Sequence, residues 1–466
     1  MKNFLSNYKS EILVITVIFI LTSFAGYWNI PVERTQEARV AVTAREALED
    51  GNWLIPTLNG VPRLKKPPLM TWIVALSYKF FGKINEFSAR FPSVLFAYVA
   101  ALGIFFLGVK LFGRLEATVS SLVMITAFQF IKHSRLAEID MALLLCVLFT
   151  KMFWYLAFSS QRRKRLFYIL GYIAGAVAVN LKGPAGFVIP FISFLTLLLL
   201  LKRFDEIKRW LDPAGILLCI ILSSSWYMAA VLQEKKIASA VFKDELEIAF
   251  IKGIDHPGPF YYYLYTLFIC FAPWTVFMYA AAFFALIKKG KNREILFVLV
   301  WFFVSLVLLS LTPNKQPHYA LLGFPPMALI TGWFAGNIAA RRNAKRYVVI
   351  ITCILVSAVT AGALADSFFL HKKIYPDSSF KGLADEIKKD RIDIRDIYTY
   401  KFMNAELIFY LGRPIPKIKS DEIKRFYEHG GNIYIITRAE DIPELPQGRE
   451  LIRYRYDGRI YVLLSI

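Results

Sequence analysis

Long uninterrupted runs of apolar residues constrain this chain more than any other feature. Apolar residues make up 56% of the 466 residues, and the mean hydropathy is +0.47. Soluble domains average about 45–50% apolar residues. Eleven of the runs approach the roughly 20 residues that a helix needs to cross a bilayer. They lie at about residues 11–29, 87–109, 115–131, 139–158, 166–181, 184–201, 211–232, 260–287, 294–311, 319–338 and 346–365. The sequence therefore predicts an α-helical integral membrane protein.

The net charge of +21 comes from short basic clusters rather than from a continuous basic face. The clusters occupy every second loop between the predicted spans, the alternation typical of cytoplasmic loops. They are Lys110 and Arg114; Arg162–Arg165; Lys202, Arg203, Lys208 and Arg209; Lys288, Lys289, Lys291 and Arg293; and Arg341, Arg342, Lys345 and Arg346. Membrane lipids are the expected contacts of these clusters, and no nucleic-acid partner is expected.

This alternation also predicts an orientation in the cell inner (cytoplasmic) membrane. The amino terminus is predicted to be cytoplasmic. The loops at 30–86, 132–138, 182–183, 233–259 and 312–318 are then extracytoplasmic, as is the segment that follows Asp366. We therefore predict a membrane domain at 1–365 and an extracytoplasmic domain at 366–466.

The first outer loop, 30–86, carries more charge than a simple connection requires. Its sequence from Gln36 to Pro68 is QEARVAVTAREALEDGNWLIPTLNGVPRLKKPP. We predict an amphipathic helix over Gln36–Glu49, a turn at Asn59-Gly60 and an interfacial helix over Leu69–Phe81. Carboxylates and several cations held beside a bilayer indicate a ligand with a lipid-linked anionic group.

Further polar residues stand at the outer ends of other spans. Asp140 begins a span, and an acid at the membrane boundary is costly unless it is partnered or functional; capping of its own helix is the alternative. Lys182 occupies a very short outer turn, and Lys315 and Tyr319 lie in the fifth outer loop. His256 stands beside turn-forming residues and is a candidate metal ligand or proton carrier.

The segment 366–466 has the composition of a soluble domain. Helical patterns at 379–390, 404–411 and 420–429 alternate with β-branched runs at 395–400, 432–437, 450–456 and 459–465. This alternation predicts a small α/β domain.

The polar residues suit chemistry on a sugar carried by a polyprenyl phosphate. Departure of the sugar leaves negative charge on the phosphate, and fixed cations stabilise that charge in a partly dry site. The acceptor needs a carboxylate that takes its proton. The candidate acids are Glu37 and Asp140, and the candidate phosphate ligands are Arg39, Lys66, Lys182, Lys315 and Tyr319.

Four motifs taken in order resemble those of the GT-C glycosyltransferases. They are QEAR…AREALEDGNWLIPTLNG…LKKPP, LAEIDM, LKGP and NKQPHYALLGFPP. The resemblance covers about residues 30–340. It is nearest to the bacterial branch that contains the aminoarabinose–lipid A transferase and the lipopolysaccharide-core galacturonate transferases, with protein O-mannosyltransferases more distant. It implies a GT-C fold of about 11 transmembrane helices with interfacial helices in the first outer loop.

The resemblance also implies roles for individual residues. The first loop of the family opens with an acidic pair and an arginine; here Gln36 replaces the first acid, while Glu37 and Arg39 are kept. This departure shifts the proton-accepting role to Glu37 or to Asp140, which falls on the second acidic position of the family.

Lys66 matches a residue that holds the lipid phosphate, and Tyr319 matches a tyrosine near that phosphate. His256 matches a position that binds a divalent metal together with an acid before the KPP lysine. In this chain Lys65 stands in the place of that acid, and a protonated lysine cannot ligate a metal. A divalent metal is therefore only a candidate cofactor, and no other cofactor is expected.

The resulting hypothesis is transfer of one sugar from a polyprenyl-phosphate donor to a cell-envelope acceptor, lipid A, lipopolysaccharide core or another glycolipid, with inversion implied by the resemblance. One alternative is a transporter or flippase of lipid-linked sugars. Transporters place ionisable residues near the bilayer midplane, whereas most of the polar residues here stand at outer ends. The other alternative is a non-catalytic GT-C-like binding protein, which the Gln36 departure keeps open.

Overall fold

The protein is described by a computed structural model over residues 6–64, 66–160, 162–233, 256–288, 292–341, 344–428 and 433–466. Most of the predicted outer loop 233–259 lies outside the described residues, as do Lys65, Lys289, Lys291 and Arg342. The chain forms two compact units. The first comprises residues 1–27, 64–70 and 90–365, and the second comprises 28–63, 71–89 and 366–466. The division at residue 365 into a membrane and a soluble domain stays a prediction.

Helices make up most of the described residues of the first unit. The helix Lys9–Phe19 continues into a π-helical turn, Ile20–Phe24, and the helix Glu86–Leu111 enters the unit at Arg90. The further helices are Arg114–Ile125, Phe128–Ser134, Asp140–Ser159, Lys164–Lys182, Ala185–Leu200, Phe204–Trp210, Pro213–Gln233, Tyr262–Cys270, Thr275–Ile287, Arg293–Leu311, the 3-10 helix Pro317–Gly323, Phe324–Ala339 and Ala344–Ala365.

Each of the eleven predicted spans contains helix. Among the described residues, seven helices are long and apolar enough to cross a membrane: Glu86–Leu111, Asp140–Ser159, Lys164–Lys182, Pro213–Gln233, Arg293–Leu311, Pro317–Ala339 and Ala344–Ile374. The pair Arg114–Ile125 and Phe128–Ser134, bent by 65°, makes an eighth if it is one span. The other predicted spans hold shorter helices, because the helix is interrupted within the apolar run or ends before the run does.

Close helix packing in the first unit depends on two glycines spaced four residues apart. A Cβ atom on Gly332 would lie 2.4 Å from the carbonyl oxygen of Glu116, and one on Gly336 would lie 2.2 Å from a carboxylate oxygen of the same residue. Glu116 belongs to the helix Arg114–Ile125. Small residues at this spacing let two membrane helices approach closely.

The second unit begins with the helix that carries the first-loop candidates. This helix spans Thr35–Glu49, one residue earlier than predicted, and is called the site helix below. A two-stranded hairpin, Thr57–Leu58 with Val61–Pro62, follows it, and its turn residues Asn59 and Gly60 have φ of 58° and 73°. The helix Leu69–Phe81 has the predicted bounds.

Residues 366–466 of the second unit contain the predicted mixture of helices and strands. The sheet order is Ile397–Thr399, Tyr434–Arg438, Arg459–Ser465 and Arg449–Tyr456, with the first pair parallel and the other two antiparallel. The helices include His371–Ile374, Lys381–Lys389, Ala405–Leu411 and Ser420–Glu428. Buried Ile423, Ile435, Val462 and Leu464 form part of the core against the sheet. The prediction of a small α/β region is confirmed.

Candidate functional site

An acid and a lysine meet at one end of a helical hairpin in the first unit. Asp140 is the first residue of the helix Asp140–Ser159, and Lys182 is the last residue of the helix Lys164–Lys182. The Lys182 Nζ donates to Asp140 Oδ1 at 3.1 Å. A carboxylate at a helix N-terminus and an ammonium at a helix C-terminus each complement the helix dipole. Ile139 occupies the N-cap position, so the capping alternative for Asp140 is not observed.

A buried histidine lies on the other side of the Asp140 carboxylate. His133 Nδ1 lies 3.2 Å from Glu138 Oε2 and 3.7 Å from Asp140 Oδ2. Its Nε2 lies 3.0 Å from the side-chain amide nitrogen of Gln129. The buried His133 ring therefore lies between the Gln129 amide and the two carboxylates.

Aromatic rings of the 3-10 helix Pro317–Gly323 complete this cluster. The Lys182 ammonium lies 4.2 Å from the centroid of the Tyr319 ring, within the range of a cation–π interaction. The His318 ring lies 5.4 Å from the His133 ring and 4.7 Å from the Tyr319 ring, measured between centroids. The structure therefore brings together three predicted site residues, Asp140, Lys182 and Tyr319.

The same cluster contains three residues to which the sequence analysis gave no role: His133, Glu138 and His318. His133 and Glu138 precede Asp140 by seven and two residues. That grouping of chemically active side chains in one short loop is the signal that could have identified them. The contact with His318 joins segments far apart in sequence, and no local pattern predicts it.

The other first-unit candidates have different surroundings. The Lys315 ammonium donates to the carbonyl oxygens of Ser310 and Thr312 at 2.7 and 2.6 Å. The Lys315 backbone N–H donates to the His256 carbonyl oxygen at 2.9 Å. His256 is an exposed residue. Lys66 is exposed and lies three residues before the helix Leu69–Phe81. The described contacts of Lys315 and His256 thus stabilise a loop, and their predicted roles stay predictions.

One group of three potential metal ligands occurs among the described residues. The ligand atoms of His133, Glu138 and Asp140 all lie within 4.8 Å of one another. Imidazole and carboxylate donors suit divalent cations. However, the Lys182 ammonium lies against Asp140 and supplies the positive charge that a metal would bring. The arrangement does not fit a bound cation while Lys182 holds this position, and His256 belongs to no such group within the described part of the chain.

The second unit contains Glu37 and Arg39 on the site helix. Glu37 is fully buried and Arg39 is partly buried. Arg63, which follows the hairpin, has its pKa lowered to about 10, first by burial and then by the positive charge of Arg39. Two guanidinium groups close enough to repel each other form a favourable site for an anion. Arg63 was not among the predicted site residues.

The hairpin that leads to Arg63 is fixed by a single carboxylate of the site helix. Glu46 accepts hydrogen bonds from the Thr57 hydroxyl at 2.6 Å and from the backbone N–H groups of Asn59 and Gly60 at 2.8 and 3.1 Å. These contacts confirm the predicted Asn59-Gly60 turn. They also explain how a short loop holds Arg63 near Arg39.

Comparisons with known proteins find similar sequences over most of the chain. Residues 65–228, which include Asp140 and Lys182, match the model of the dolichyl-phosphate-mannose-protein mannosyltransferase family. The chain is 31% identical over 364 residues to an uncharacterised protein of Aquifex aeolicus, and the alignment covers 77% of this chain and 70% of that protein. It is 27% identical over 348 residues to undecaprenyl phosphate-alpha-4-amino-4-deoxy-L-arabinose arabinosyl transferase 2 of Proteus mirabilis, with 73% of this chain and 62% of that protein covered.

The fold matches a solved structure over nearly its full length. The crystal structure of ArnT from Cupriavidus metallidurans bound to undecaprenyl phosphate superposes with a TM-score of 0.81 at 15% identity, covering 99% of this chain and 98% of that one. Sequence relatives, family model and fold all point to one group of membrane enzymes. The chain belongs to the GT-C superfamily of glycosyltransferases.

Proposed function

We propose that this protein transfers a single sugar from a polyprenyl-phosphate donor to a cell-envelope acceptor, lipid A, lipopolysaccharide core or another glycolipid. The observation that carries the proposal is the buried contact between Asp140 and Lys182, with Tyr319 beside the ammonium. Asp140 provides a base and Lys182 provides a phosphate ligand within this one cluster. The names of the relatives, which act with undecaprenyl phosphate sugars, support the donor class.

The cations of the proposal serve the donor phosphate. As the bond between the sugar and the phosphate breaks, negative charge grows on the phosphate oxygens, and fixed cations in a dry site stabilise that charge most strongly. We assign this role to Lys182 in the first unit and to Arg39 in the second, where the adjacent Arg63 adds a second guanidinium. Lys66, Lys315 and Tyr319 are proposed as further phosphate ligands on the strength of the family resemblance.

Asp140 is our first candidate for the general base. Its carboxylate accepts a hydrogen bond from the Lys182 ammonium at 3.1 Å, and this positive charge favours the ionised form that a general base requires. In the proposed step the acceptor oxygen forms a bond to the anomeric carbon, and its proton passes to Asp140. The bond from the same carbon to the phosphate oxygen breaks, and the phosphate leaves with the electron pair. Attack opposite the leaving group inverts the anomeric configuration. Glu37 is the second candidate for the base.

The reaction is proposed for the outer face of the cytoplasmic membrane. The alternation of basic loops supports this orientation, because the loops that flank Asp140, Lys182 and Tyr319 fall between the basic clusters along the chain. The second unit is proposed to lie on the same side.

Mass spectrometry of envelope lipids and polyprenyl phosphates tests the proposed function. We compare cells that lack the gene with the same cells complemented by the wild-type chain or by the Asp140→Asn variant. We expect the deletion to lose one sugar mass from an envelope lipid while the matching polyprenyl-phosphate sugar accumulates. Only the wild-type chain should restore both pools. Full restoration by Asp140→Asn would contradict the proposed site.

The same experiment, together with a transfer assay on the purified protein, separates the alternatives. A flippase of lipid-linked sugars would also leave the acceptor unmodified in the deletion strain, but the purified protein would not convert donor and acceptor to products in detergent. A non-catalytic binding protein would leave the carrier pool unchanged.

A further inference from the structure

We propose that the helix Ala405–Leu411 positions the site helix for sugar transfer, with Glu406 as the positioning residue that acts on Glu37. This helix is called the tail helix below. The inference rests on the proposed function and extends it by giving residues 366–466 a role in catalysis. All of the residues that carry it belong to the second unit.

The site helix donates hydrogen bonds to backbone carbonyl groups at the end of the tail helix. Arg45, which is 1% exposed, donates from Nη1 to the carbonyl oxygens of Ile408 and Phe409 at 3.0 and 3.4 Å. These are among the last four carbonyls of the tail helix, which have no partner within it. Lys388 donates to the carbonyl of Tyr410 at 2.6 Å. A buried cation at a helix C-terminus also complements the helix dipole, so Arg45 fixes the two helices to each other.

The segment around the site helix is held at both of its ends by residues beyond 366. Before the helix, the Val32 N–H donates to the Tyr410 hydroxyl at 2.5 Å, and the Val32 carbonyl accepts from Ser379 Oγ at 3.0 Å. After it, the Asn59 amide exchanges hydrogen bonds with the backbone of Ile415 at 2.8 and 2.6 Å. A helix clamped before its start and after its end has little freedom to shift.

Glu406 is an ionisable residue of the tail helix that this packing buries completely. It is 0% exposed, as is Glu37 on the site helix. Its Oε1 accepts a hydrogen bond from the Tyr456 hydroxyl at 3.1 Å. Its Oε2 is buried without a hydrogen-bond partner among the described residues. A carboxylate in such surroundings is expensive to ionise, whereas a neutral carboxylic acid is tolerated.

The groups that face Glu406 reinforce the neutral form. Burial, followed by the negative charges of Glu33, Glu37 and Asp457, raises the pKa of Glu406 to about 8, against which the Tyr456 hydrogen bond acts only in part. Glu33 itself is paired with His371 at 3.0 Å. At neutral pH Glu406 therefore carries a proton. Above pH 8 Glu406 loses this proton and adds a negative charge near Glu37. The resulting repulsion disturbs the position of Glu37 on the site helix.

The pH profile of transfer by the purified full-length protein tests this inference. We expect kcat/KM of the wild type to fall above pH 8 by about tenfold per pH unit, because one group ionises. The Glu406→Gln variant keeps the size and the neutral state of the protonated residue. It should retain activity within threefold of wild type at pH 7 and lack the alkaline fall. Glu428→Gln, at an exposed position of the same region, is the matched control and should keep the wild-type profile.

Two outcomes would overturn the inference without affecting the proposed function. One is an unchanged alkaline fall in Glu406→Gln, and the other is a fully active Glu406→Lys variant that folds and inserts normally. If the wild type transfers no sugar at any pH, the proposed function fails instead. The Arg45→Met variant supplies an independent check: it should lower kcat/KM for transfer at least tenfold, since the site helix that carries Glu37 and Arg39 is no longer fixed to the tail helix. Wild-type kinetics in this variant would contradict the positioning role of the tail helix.

Discussion

Lys182 interacts with both a carboxylate and an aromatic face, and this double contact defines its chemistry. The ammonium donates to Asp140 and lies over the Tyr319 ring. The Lys182 side chain is 16% exposed and lies at a helix C-terminus. These two contacts hold the Lys182 ammonium in a fixed direction, as the proposed stabilisation of a leaving phosphate requires.

We expect Lys182→Met to lower kcat/KM for transfer by about 100-fold or more, the loss typical of removing one preorganised donor. The loss combines the missing phosphate contact with an Asp140 carboxylate that has lost its nearest cation. Steady-state kinetics on the purified protein measures it. Lys208→Met, at an exposed position in a basic cluster, is the control and should keep wild-type rates. Equal rates for the two variants would show that Lys182 has no part in the reaction.

The raised pKa of Glu406 predicts how the stability of the folded protein depends on pH. Its pKa is about 8 in the folded protein against an ordinary value of 4.5, so the folded state holds the proton more tightly. The stabilisation from this proton is fully present below pH 4.5, declines as pH rises above that value and is lost above about pH 8. Thermal unfolding in detergent from pH 5 to 9 should therefore show a larger fall in Tm for wild type than for Glu406→Gln. Parallel curves would contradict the assignment.

Several elements are organised by single polar residues at their ends. Asn404 caps the tail helix by accepting from the N–H groups of Glu406 and Leu407 at 2.8 and 3.2 Å, and Glu46 holds the hairpin after the site helix. Because the hairpin leads directly to Arg63, its geometry sets the spacing of the two arginines.

The Glu46→Ala variant should destabilise the second unit by about 2–3 kcal/mol, since two backbone N–H groups and one hydroxyl lose their acceptor. It should also raise the KM for the polyprenyl-phosphate donor, because Arg63 is no longer fixed. Differential scanning fluorimetry and donor titration measure the two effects. Glu422→Ala, on an exposed helix face, is the comparison variant. A donor KM equal to that of this variant would separate the hairpin from donor binding.

At the scale of the whole molecule, apolar patterning predicts most of the helical architecture, and the orientation that loop charge predicts stays a prediction. The spans, the site helix and the elements of 366–466 all follow from local periodicity, which acts within one element. The breaks inside residues 115–131 and 260–287 were not predicted, because a bend within an apolar run leaves the composition unchanged. The pairing of Asp140 with Lys182 follows from their places at the ends of one helical hairpin. The contacts of His133 with His318 and of Arg45 with the tail helix join distant segments, and periodicity carries no information about them.

The proposed orientation makes a prediction for the whole chain. In a variant without its four native cysteines, a cysteine introduced at Glu428 should react with a membrane-impermeant maleimide in spheroplasts. A cysteine at Arg162, in a basic loop, should react only after the membrane is permeabilised. Both positions are exposed within the structure, so access depends on the side of the membrane. The reverse pattern would place the reaction on the cytoplasmic face.

The most direct measurement is single-turnover transfer in detergent by the purified wild type and by Asp140→Asn, with a polyprenyl-phosphate sugar as donor and envelope lipid as acceptor. We expect the wild type to release one polyprenyl phosphate for each sugar joined to the acceptor. We expect Asp140→Asn to bind donor with unchanged affinity and to transfer at least 1,000-fold more slowly, a loss within the range that general-base catalysis supplies. Transfer by Asp140→Asn at the wild-type rate would show that the cluster of Asp140, Lys182 and Tyr319 is not the catalytic centre.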